Sequence, residues 1–133
     1  MDEILTIVGA SIFGVLGALH LVYTFFTNKF DAYDPSVTAA MKGTSLILTK
    51  ETTIWNAWVG FNASHSLGAI LFAAIYIPLT VSYSNIINES IWFSILPVIV
   101  GLSYLLLAKK YWFKIPFVGI LLSTICFIFA AIL

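Results

Sequence analysis

The sequence of 133 residues contains no arginine, a single cysteine and few charged residues. Charged residues make up 9% of the chain, far below the share that is typical of a soluble domain. Six lysines are balanced by six acidic residues, so the basic surface that nucleic-acid binding requires is missing. Cys126 is the only cysteine, which excludes an internal disulfide. The chain also lacks a glycine-rich phosphate-binding loop, a nucleophile elbow and a Cys-x-x-Cys pair.

Long hydrophobic runs fill most of the sequence instead, and apolar residues make up 61% of it. About 20 consecutive apolar residues are needed to cross a bilayer. Four runs are long enough, at residues 4–27, 54–83, 91–108 and 115–133. The acidic start of the chain is not typical of a cleavable signal peptide, which is basic there. The sequence therefore predicts one all-α membrane domain, residues 1–133, formed by a four-helix transmembrane bundle that contacts the lipid bilayer.

The lysines lie in only two connecting segments, residues 28–53 and 109–114. The positive-inside rule places both segments in the cytoplasm and both chain termini on the other side of the membrane. Within residues 28–53, Asp34 and Pro35 are typical of a helix N-cap followed by proline at the first helical position. They predict a short interfacial, amphipathic helix over about residues 35–48. Thr49 is expected to cap the next span, with Glu51 in its first turn.

The second run carries polar residues at a helical period. Glu51, Trp55, Trp58, Asn62 and His65 recur at steps of three and four, which places them on one helix face. Such groups need partners, because the bilayer core offers no water. His20, the only other histidine, lies in the first run at a depth within about one helical turn of His65. A polar pocket between these two spans is expected, and its ligand-binding candidates are His20, Tyr23, Thr24, Trp55, Trp58, Asn62 and His65.

Three functions are compatible with this pocket. It could bind or transform a hydrophobic small molecule or lipid, since ionisable residues inside membranes mark functional sites and histidine titrates near physiological pH. The candidate catalytic residues are then His20, His65, Glu51 and Tyr23. Alternatively, the polar residues only hold helices together in an accessory subunit, an assembly factor or a homo-oligomer. A third alternative is that His20 and His65 bind haem or a metal ion. The sequence leaves open whether the chain is an enzyme.

Three segments carry a resemblance to a known family: GALHLVYTFFTNKFDAYDP, LTKETTIWNAWVGFNASHSLGAILF and KKYWFKIPFVGI. Together they resemble a family of small, uncharacterised four-span proteins of the bacterial inner membrane, and the resemblance covers nearly the whole chain. It implies a four-helix membrane fold and a bacterial inner-membrane location. It supplies neither a substrate nor a mechanism.

Overall fold

The computed structural model describes residues 1–133, and it is all-helical apart from connections and one isolated bridge. Four helices are long and apolar enough to cross a membrane. The predicted all-α fold with four membrane-length helices and a short helix after the first is thereby confirmed. The helices in chain order are α1 (Glu3–Phe26), α2 (Pro35–Gly43), α3 (Ile54–Ser82), α4 (Ser84–Glu89), α5 (Ile91–Tyr111) and α6 (Lys114–Ile132).

The short helix α2 begins where the sequence predicts. The Asp34 carboxylate accepts a hydrogen bond from the Ser36 backbone N–H at 2.8 Å, and Pro35 occupies the first turn. The helix ends at Gly43 rather than near residue 48, because Thr44 has an extended backbone and accepts a hydrogen bond from the Ile54 N–H at 3.0 Å. This pairing draws the following residues out of the helix.

The start of α3 differs from the prediction that Thr49 caps it. The helix begins at Ile54, and the Thr53 hydroxyl accepts the Asn56 N–H at 3.1 Å, as an N-cap residue does. Thr49 instead accepts the N–H of Glu51 at 3.1 Å within a local turn. The prediction was wrong because both threonines have suitable spacing, and the pairing of Ser45 with Thr53 selects the second. Glu51 therefore precedes the helix and is exposed.

The chain divides into two compact units, one formed by Met1–Leu16 with Ala69–Leu133 and the other by Gly17–Gly68. In the first unit, the ring of Phe13 on α1 is fully buried and contacts one aromatic ring from each of the other three long helices. The centroid distances are 5.4 Å to Phe72, 5.1 Å to Tyr104 and 5.9 Å to Phe127. This unit is therefore a four-helix bundle with an aromatic core.

The second unit contains the last turns of α1, the whole of α2 and the first turns of α3. The connection between α1 and α2 is held by Thr38, which is buried and accepts the Ala32 N–H at 3.0 Å. All the predicted site residues lie in this unit.

Candidate functional site

A direct hydrogen bond joins His20 on α1 to Asn62 on α3. Nε2 of His20 lies 2.9 Å from Oδ1 of Asn62. The amide Nδ2 of Asn62 donates to the Trp58 backbone carbonyl at 2.8 Å. Because a carbonyl can only accept, the amide nitrogen must face Trp58 and the amide oxygen must face His20. Nε2 of His20 therefore carries the hydrogen atom and donates it to Asn62.

His65 lies beside His20, so the only two histidines of the chain share one site. The ring centroids are 5.4 Å apart, and the rings meet edge to face at 67°. His65 follows Asn62 by three residues on α3, which places both side chains on one face of the helix. We call His20, Asn62 and His65 the histidine cluster.

Phe30, in the connection after α1, covers the imidazole of His20. The two rings are 4.4 Å apart between centroids and inclined by 39°. The backbone carbonyl of Phe30 accepts a hydrogen bond from the indole N–H of Trp58 at 3.2 Å. Sequence reasoning missed Phe30, because it lies outside the helical period that marks the other residues. The only signal was that Phe30 is one of two aromatic residues, with Tyr33, in a mostly polar connection.

Several other predicted lining residues are engaged elsewhere. The Thr24 hydroxyl donates to the carbonyl of His20 on its own helix at 2.8 Å. The Lys29 ammonium lies 4.1 Å from the centre of the Tyr23 ring, and the Lys42 ammonium lies 4.8 Å from the centre of the Trp55 ring. These cation–π contacts hold both aromatic residues against lysines of the connecting segment.

The structure thus brings together only part of the predicted pocket. His20, Asn62 and His65 form its centre, and Trp58 joins it through its backbone carbonyl and its indole. The hydrogen bonds that His20 and Asn62 make do not involve the side chains of Tyr23, Trp55 or Glu51. Their roles in ligand binding or catalysis stay predictions.

The hydrogen bond from His20 to Asn62 limits how His20 could bind a metal ion or haem. No group of three or more His, Cys, Asp or Glu side chains is positioned to hold a metal ion. Nε2 of His20 is already a donor to Asn62. Ligation by His20 would therefore require Nδ1, or the loss of the bond to Asn62.

Comparison of the chain with protein-family models, with curated proteins and with solved structures finds no match. The resemblance to four-span bacterial inner-membrane proteins therefore stays a prediction. The four helices, by their length and composition, indicate a membrane protein in contact with lipid.

Proposed function

We propose that the histidine cluster binds, or acts on, a hydrophobic small molecule or lipid between α1 and α3. The observation that carries this proposal is the hydrogen bond from His20 to Asn62, which fixes the orientation of an imidazole within two membrane-length helices. Close packing of helices in lipid is achieved by small residues. A pair of imidazoles is a more costly choice for packing, since polar groups in the bilayer core need partners.

The fixed geometry is what a binding site requires. A functional group that is held by a neighbouring hydrogen bond loses less conformational freedom when a ligand binds. Asn62 is itself held by the Trp58 carbonyl, so the orientation of His20 depends on the rigid backbone of α3. Phe30 supplies an apolar surface next to the imidazole.

Mass spectrometry of the molecules that co-purify with the protein tests this function. We expect the wild-type chain to retain a hydrophobic molecule that His20→Ala loses while staying folded. Ser64→Ala is the matched control, because the exposed Ser64 hydroxyl donates only to carbonyls of its own helix. The same co-purifying molecules in wild type and His20→Ala, with reduced stability of the variant, would contradict the proposal.

The alternative is an accessory subunit or assembly factor in which the cluster only fixes the register of two helices. The same hydrogen bond between His20 and Asn62 favours it, because such bonds also hold membrane helices together. A protein that co-purifies in a fixed ratio, with no bound small molecule, would support this alternative.

We further propose that the chain lies in the bacterial inner membrane with both termini on the non-cytoplasmic side. The support is the resemblance for the location and the distribution of lysines for the orientation. In a Cys126→Ser background, an impermeant maleimide applied from outside should label Ser84→Cys and should not label Lys42→Cys. External labelling of Lys42→Cys would reverse the orientation.

A further inference from the structure

One nitrogen of His20 has no partner within the chain. Nε2 donates to Asn62, as the orientation of the amide requires. A neutral imidazole carries one hydrogen atom, so Nδ1 then holds a lone pair and is an acceptor. Nδ1 makes no hydrogen bond within the chain. Nδ1 of His20 is therefore a hydrogen-bond acceptor whose position the histidine cluster fixes.

This acceptor can be reached from outside the chain. No buried side-chain nitrogen or oxygen in the structure lacks a hydrogen-bond partner. Because Nδ1 has none, it is not buried, and His20 as a whole is partly exposed. His20 lies on α1, which is long and apolar enough to cross a membrane, and the hydrocarbon core of a bilayer holds no water to act as a donor.

We propose that the molecule bound at the histidine cluster carries a hydroxyl group, which donates a hydrogen bond to Nδ1 of His20. The ligand class is a long-chain lipid alcohol. This inference rests on the proposed function and specifies its ligand. Molecules whose polar atoms can only accept, such as ethers, esters and ketones, cannot satisfy Nδ1. A site that is built around a hydrogen bond discriminates against analogues that lack the donor, because its polar group is then left unpaired.

A pair of probes that differ only in the donor tests the inference. The first is hexadecanol with a diazirine in the chain, and the second is the methyl ether of the same molecule. Full-length protein in phosphatidylcholine nanodiscs is irradiated with each probe, and labelled peptides are quantified. We expect the alcohol to label Gly17–Gly68 up to about tenfold more than the ether, which is the difference that one hydrogen bond can give. The stronger labelling by the alcohol than by the ether should disappear in His20→Phe and persist in Ser64→Ala.

The outcomes separate the ligand class from the function. Equal labelling of Gly17–Gly68 by both probes, lost in His20→Phe, overturns the hydroxyl inference and leaves the binding function standing. Labelling by neither probe, or labelling that His20→Phe does not change, overturns the hydroxyl inference, and the co-purification experiment then decides the proposed function.

A second measurement on the wild-type chain does not depend on the folding of a variant. Nitrogen NMR of protein labelled at its two histidines should show His20 with a protonated Nε2 and an unprotonated Nδ1. A His65→Phe sample assigns the signals. A proton on Nδ1 would overturn the inference, since that nitrogen would then be a donor.

Discussion

Replacement of Gly101 by alanine tests the close approach of α5 and α6 in the first unit. A Cβ atom at Gly101 would lie 2.8 Å from Oγ1 of Thr124 and 3.3 Å from Cδ2 of Phe127. Neither neighbour can move freely. Thr124 is 1% exposed and its hydroxyl donates to the Ile120 carbonyl at 2.7 Å, while Phe127 is fully buried in the aromatic core. We therefore expect the added methyl group to push the two helices apart.

The expected loss can be separated from helix propensity by a matched variant. Alanine is favoured over glycine inside a helix by about 1 kcal/mol, and overpacking costs about 1–3 kcal/mol. Gly60 lies inside α3, and a Cβ atom there would meet nothing within 4 Å. Gly60→Ala therefore carries the propensity gain alone. Gly101→Ala should be less stable than Gly60→Ala by about 1–3 kcal/mol.

Unfolding by SDS in mixed micelles, followed by tryptophan fluorescence, measures this difference. Adding Thr124→Ala to Gly101→Ala should recover part of the loss, because the contact at Oγ1 is removed. Recovery should be incomplete, since the backbone Cα of Thr124 would still lie 3.3 Å from the new Cβ. Equal stability of Gly101→Ala and Gly60→Ala would refute the close packing of α5 against α6.

Three further predictions concern the second unit. Hydrogen bonds from Ser36, first from its side chain and then from its backbone, hold the pKa of Asp34 below its usual range. At pH values above the ordinary pKa of an aspartate, the stabilisation of α2 by this carboxylate should be complete. It should be lost as the pH falls through the lowered pKa of the folded chain, because the unfolded chain takes up the proton at a higher pH. An acid titration of the Ser36 amide signal should show this loss in wild type and not in Asp34→Asn, which caps without titrating. A double-mutant cycle of His20→Ala and Asn62→Ala should give a coupling of about 0.6 kcal/mol, and strict additivity would argue against the hydrogen bond. Addition of haemin to the purified chain should produce no Soret band of a bis-histidine complex; a band lost in both His20→Ala and His65→Ala would contradict this.

The membrane helices could be predicted closely because the thickness of a bilayer fixes how long an apolar run must be. The second run was expected at residues 54–83, and α3 occupies Ile54–Ser82. The connection between α1 and α3 was less predictable. Thr49 and Thr53 both have the chemistry of an N-cap, and the pairing of residues 44–45 with residues 53–54 shows which of them starts the helix.

The site could be predicted where the helical period alone determines which side chains share a face. It could not be predicted where a side chain has several possible hydrogen-bond partners. Asn62 and His65 share a face of α3 by their spacing, and a joined pair of antiparallel helices brings His20 to them. Thr24 lies near His20 on the same helix, but its hydroxyl reaches a carbonyl of its own backbone. Threonine hydroxyls in helices often do so, and the sequence does not show when.

Trp58 closes the histidine cluster into a ring of contacts that includes the connecting segment. Its carbonyl holds Asn62, Asn62 holds His20, the ring of His20 packs against Phe30, and the Phe30 carbonyl accepts the Trp58 indole. A bond between two helices requires only His20 and Asn62 to fix their register. Phe30 is not part of that bond, and its ring packs against the imidazole of His20. We take this cover of the imidazole, held by the hydrogen bond of Trp58 to Phe30, as support for the proposed binding function.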